Sequence, residues 1–166
     1  MNNAVAQTVS TLSNLIQVQN KRLEGYRKAQ ELTGERDYLR NIVSKGGTLS
    51  YSCRDQLMRA VMLFGGNTTA EENFYGPSAH AWEHVENALE AKRKKVILHA
   101  IETGEQETQR AYEYALHMHE VPVYIREILI LQKEKLNEHY ERVKKVSSEK
   151  PNRRRGRGPD QSITIQ

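Results

Sequence analysis

The chain lacks most of what a sheet, a membrane span or a disulfide framework would need. β-Branched residues almost never alternate with polar ones, so no half-buried strand is predicted. No apolar run approaches the ~20 residues that a bilayer-spanning helix requires. Met1 to Ser10 has neither the basic nor the apolar region of a secretory signal. Cys53 is the single cysteine, so no intrachain disulfide can form. Together these absences predict a cytoplasmic protein without a membrane partner. Proline is scarce too, and two of the four, Pro151 and Pro159, fall near the C-terminal end, which leaves long stretches free to be helical.

What is present amounts to one domain: 166 residues, 37% hydrophobic and 28% charged, enough for a single thin core under much solvated helix surface. The formal net charge of +4 is unevenly placed. Residues 147–166 hold five basic side chains and two acidic ones, leaving 20 basic against 19 acidic in the rest. A body that near neutrality is not the footprint of a dedicated nucleic-acid-binding domain. The expected division is a bundle over 1–146 and a disordered basic tail over 147–166.

Periodicity predicts four long helices. The first spans about Ala4 to Leu32, with Val5, Val9, Leu12, Ile16, Gln19, Leu23 and Tyr26 as its seam, and Gly34 ends it through a positive φ. The second spans about Glu35 to Phe64, with a seam of Tyr38, Ile42, Leu49, Gln56, Ala60 and Leu63, Lys45 and Cys53 lying near it. Gly46 and Gly47 predict a bend or break there, and Gly65 with Gly66 the end. Asn67 to Pro77 reads as a loop. Ser78 reads as the N-cap of a short helix to about Leu89, which carries Trp82, and the chain bends within Glu90 to Lys95. The third long helix runs from about Lys94 to His119 on a seam of small residues (Ile97, Ile101, Gly104, Thr108, Ala111, Ala115, Met118). Pro122 suits the first turn of a fourth. That helix carries an unbroken seam of Ile125, Leu129, Gln132, Leu136, His139, Val143 and Val146. The predicted fold class is all-α: a four-helix bundle with a long connection and a short extra helix between the second and third long helices.

Several stretches resemble a known family. They are Asn14-Leu15-Ile16 through Gly25-Tyr26-Arg27-Lys28-Ala29, Gly65-Gly66, Ala81-Trp82, Glu102-Thr103-Gly104-Glu105, Ala111-Tyr112-Glu113 with Ala115-Leu116, and Glu138-His139-Tyr140-Glu141-Arg142-Val143. The chain is similar over about Val9 to Val146 to the bacterial ferritin-like group known as domain of unknown function 2383. The resemblance implies a ferritin-like bundle, a homo-oligomer and a stress-related role, with no established reaction.

A di-metal centre in such a bundle needs a Glu from each of two helices and Glu-x-x-His from each of the others, because residues three apart share a face. No Glu-x-x-His occurs in the second or fourth helix, and the second has no acidic residue between Asp37 and Asp55. Gln132 and Lys135 occupy a plausible ligand pair, and neither suits iron. Glu24, Glu102, Glu105 and His139 remain as metal candidates. The carboxylates read first as surface or interhelix-bridging groups, and His139 first as a core histidine hydrogen-bonded across the bundle beside Gln19, Tyr26 and Gln132. His80 and His84 share a helix face without a third ligand nearby. His117 and His119 fit a helix C-terminus. Cys53 reads as a small core residue. Catalytic triads and phosphate loops are missing, since Gly46-Gly47 and Gly65-Gly66 have no Lys-Ser/Thr at the required offset.

The tail concentrates Arg153, Arg154, Arg155 and Arg157 among glycines. Such a run binds polyanions through phosphate contacts, or simply solubilises; without an interleaved aromatic, base stacking is unsupported. The expected function is therefore a non-catalytic bundle, with no cofactor, acting through self-association as a homodimer. Exposed tyrosines and the short Trp82 helix supply its contact surface. The alternatives are a metal-dependent oxidase or metal store with a degenerate site, and nucleic-acid or other polyanion binding by the tail.

Overall fold

A computed structural model describes residues 3–34, 38–66 and 76–149. Five helices account for nearly all of them: α1 (Asn3–Leu32), α2 (Tyr38–Leu63), α3 (Pro77–Leu89), α4 (Lys94–Leu116) and α5 (Val123–Ser148). No strand occurs among the described residues. The four long helices form the bundle, α1 against α2, α2 against α5 and α5 against α4, while α3 lies along α1 and α4. The core has two layers. One joins the C-terminal ends of α1, α3 and α5 to the N-terminal ends of α2 and α4, through Tyr26, Leu39, Trp82, Ile101 and Val143. The other joins the opposite ends through Leu12, Leu57, Tyr112 and Leu129. Hence α1 and α5 run one way and α2 and α4 the other.

The α5 seam is as predicted, with Ile125, Leu129, Gln132, Leu136, His139 and Val143 all buried. On α2 the buried stripe is rotated: Leu39, Ile42, Val43, Gly46, Ser50, Cys53, Leu57, Ala60 and Val61 face inward. Tyr38 and Leu63, expected in the seam, are exposed. Of the bend or break expected at Gly46-Gly47, the break is absent: α2 stays helical through both residues. Packing explains the glycine: a Cβ at Gly46 would stand 2.3 Å from the Tyr26 ring, so the glycine makes room for an aromatic. Packing of that kind outweighs the ~1 kcal/mol propensity cost of a glycine in a helix.

Helix ends differ in detail. Gly65 takes φ 73 and closes α2, whereas Gly34 has no positive φ. Gly76, not Ser78, is the N-cap of α3, with Pro77 in its first turn. Pro122 is likewise the N-cap of α5 rather than a residue of its first turn. Lys92, at φ 54, turns the chain from α3 into α4. Trp82 is fully buried, so α3 offers an inner face to the bundle and not a contact surface built on its tryptophan. Its indole Nε1 donates to Thr108 Oγ1 at 2.9 Å, and a Cβ at Gly104 would meet the ring at 2.8 Å.

Candidate functional site

At mid-height the bundle buries polar groups in two sets. Arg22 of α1 and Glu105 of α4 form an ion pair with no solvent exposure on either side. Arg22 Nε and Nη2 both donate to Glu105 Oε2, at 3.1 and 2.8 Å, and Nη1 donates to the Gly46 carbonyl at 3.3 Å. Tyr26 Oη also donates to Glu105 Oε2. A phenol has one proton, so the 3.0 Å contact between Tyr26 Oη and His139 Nε2 requires the imidazole to donate. His139 is thereby fixed as the Nε2–H tautomer.

The electrostatics follow from burial. Burial alone disfavours the Arg22 charge, but Glu105 and Tyr26 offset it and raise the guanidinium pKa. Burial, then the Glu105 charge, raises the Tyr26 pKa well above that of a free phenol. Burial, then Arg22, Arg142 and Lys45, pushes His139 down to about 3, so the ring is neutral. Burial also raises the Cys53 thiol to about 11, leaving it protonated and unreactive, a small core residue as expected.

The second set is a circuit through all four long helices. Ser50 of α2 donates to Gln19 Oε1 of α1 at 2.8 Å, and Gln19 Nε2 donates to Tyr112 Oη of α4 at 2.9 Å. Tyr112 then donates to Gln132 Oε1 of α5 at 2.6 Å. Gln132 Nε2 returns to α2 through Gln56 Oε1 at 2.8 Å and the Cys53 carbonyl at 3.2 Å. A one-residue slip of any helix would break the circuit and strand buried polar atoms, so it holds the register of the bundle.

Of the candidate metal ligands, Glu105 and His139 come together, joined through Tyr26. Glu24 is exposed on the outside of α1, and Glu102 is half-buried at the surface beside Glu141 and Lys144. Among the described residues no three His, Cys, Asp or Glu side chains converge to hold a metal ion. These groups do not fit a di-metal centre, because the Arg22 guanidinium already stands against the buried carboxylate and would repel a second cation. His80 and His84 are exposed, His80 lying 3.8 Å from Glu83. His117 Nδ1 bonds the Glu113 carbonyl at 2.7 Å at the end of α4. More of that end is held by Arg126, whose guanidinium donates to the Leu116 and Met118 carbonyls and, at 3.2 Å, to Val121. Arg153, Arg154, Arg155 and Arg157 lie outside the described residues.

Sequence reasoning gives Arg22, Ser50 and Arg126 no role, and marks Tyr112 only within the family resemblance. Arg22 had a signal, standing three residues after Gln19 and four before Tyr26 on the inward face. A charged residue there reads as solvated unless its partner on another helix is known.

A family model described as Domain of unknown function (DUF2383) matches residues 7–118, from within α1 to just past the end of α4. The closing-helix likeness at Glu138 to Val143 lies beyond that match. No curated protein matches the chain.

Proposed function

Since the chain belongs to this DUF2383 family, whose members carry no assigned reaction in its description, we propose a non-catalytic bundle protein of the cytoplasm that works through an interface with a second copy of itself. The observation that carries the reading is the outer face of α5. Tyr124 and Leu131, seven residues apart, are both more than half exposed, with the half-buried Ile128 beside them. Phe64, just past the end of α2, stacks on Tyr124 with ring centroids 6.2 Å apart, and Leu63 next to it is 78% exposed. Apolar side chains grouped in this way mark interaction surfaces more often than isolated ones do.

The apolar stripe is short: one and two heptads after Ile128 the same positions hold Lys135 and Arg142, and the position one heptad after Leu131 holds Glu138, so the patch is confined to the first two turns of α5. Glu127, Glu134 and Glu141 recur every seven residues along one side of it. No helix of the described residues is long and apolar enough to cross a membrane.

Light scattering on the full chain at micromolar concentration tests the reading. A dimer mass is expected, with L131E giving a monomer of unchanged helical content. A monomeric wild-type chain, or a dimer indifferent to L131E, would overturn the reading.

A further inference from the structure

α3 has 13 residues where α1 has 30 and α4 has 23, so it covers only part of the face that those two helices share. Beyond its N-terminus the α1/α4 face opens into a groove of about 580 Å³. That is within the range of small-molecule pockets, roughly 300–1,000 Å³. Its apolar lining comes from Leu15 and Val18 of α1 and from Ala111, Ala115 and Met118 of α4.

Polar groups gather where α3 begins. Gly76 caps α3 without a side chain, and the first backbone bond of the helix is His80 N–H to the Gly76 carbonyl at 3.1 Å. The Ser78 and Ala79 amides precede it and have no intrahelical acceptor, so the positive end of the helix faces the groove. A second observation points the same way. The Ser78 and Thr11 side chains line the groove, are more than nine-tenths buried, and hydrogen-bond to no described residue. Neither oxygen is fully enclosed, so each opens onto the groove with its hydrogen-bonding capacity unused by the described residues. Arg110 on the rim pairs with Glu107 at 2.6 Å, so that carboxylate is neutralised beside the opening.

We propose that this groove is a binding site for a small amphiphilic carboxylate. Its apolar body would lie between α1 and α4, and its carboxylate would accept from the α3 N-terminal amides and from the Ser78 and Thr11 hydroxyls. The site is separate from the α5 face and does not depend on self-association.

Octanoate, octanol and octylamine are the probes, titrated into the full chain by calorimetry and by thermal shift. Octanoate should bind with a dissociation constant on the order of 0.1–1 mM and raise Tm. Octanol and octylamine should bind about tenfold more weakly or worse, since neither offers the charged acceptor. S78A and T11V should each weaken octanoate several-fold while leaving octanol unchanged, which a merely structural role would not do. A111F, at a half-buried position, should fill the groove and abolish binding with Tm retained. Equal affinity for octanol, absence of octanoate binding, or a change of mass in A111F that assigns the groove to a contact between copies would each overturn the proposal.

Discussion

Gly46 and the Tyr26 ring occupy one space: a Cβ on the glycine would come within 2.3 Å of Tyr26 Cζ and 2.5 Å of Cε2. The ring is fixed in turn by Glu105 and His139 at its hydroxyl and cannot swing aside without breaking both bonds. G46A is therefore expected to destabilise by about 1–3 kcal/mol through overpacking, despite alanine's better helix propensity. G47A, one residue on and 3.7 Å from the nearest Tyr26 atom, should be neutral or stabilise by up to about 1 kcal/mol. Urea titration of the two variants compares them directly, and a G46A as stable as wild type would contradict the packing account.

Removing one half of the buried ion pair should cost more than removing both. R22M leaves Glu105 charged in the core, and such losses run to about 3–5 kcal/mol. Glu105 already has one orphan, Oε1, buried without a hydrogen-bond partner among the described residues. R22M/E105Q keeps an acceptor for Tyr26 and removes the uncompensated charge. It should be more stable than R22M alone, a non-additivity that a double-mutant cycle reads out.

Acid stability should depend on His139. The ring faces Tyr26 and Arg22 from α1, with Lys45 of α2 and Arg142 of its own helix adding positive charge. Its folded pKa is lowered to about 3 from the ordinary 6.5, so below pH 6.5 the unfolded chain binds a proton that the folded chain refuses. Stability from this group is complete above pH 6.5 and falls as pH drops towards 3, by roughly 1 kcal/mol per pH unit. H139Q retains a donor for Tyr26 and does not titrate. Unfolding measured from pH 7 to 4 should show a shallower loss for H139Q, and parallel curves would refute the assignment.

The basic tail should be dispensable to the bundle. Val143 is buried and Val146 half-buried against the core, and α5 ends at Ser148. Deleting 150–166 is expected to leave the helical signal and Tm unchanged. The full chain is expected not to shift duplex DNA at moderate salt. If the four arginines each met a phosphate, log affinity would instead fall against log salt with a slope of about −3 to −4, and the deletion would abolish binding.

The sequence by itself determined the class, the helix count and one complete seam. Ile125, Leu129, Gln132, Leu136, His139 and Val143 recur with helical period, and periodicity is a local property that needs no partner to be read. It also indicated that Gln19, Tyr26, Gln132 and His139 are buried polar residues, because they interrupt apolar seams at the right phase. Tertiary structure decided what those residues meet. Gly46 reads as a helix breaker until the ring of Tyr26, twenty residues away, is seen to need the space. Glu105 reads as a surface or interhelix-bridging carboxylate, and Arg22 as a solvated charge, until the two neutralise each other across 83 residues of chain. Nothing local records that pairing, because the cost of burying each charge is offset only by the other, and the two meet only when α1 and α4 pack.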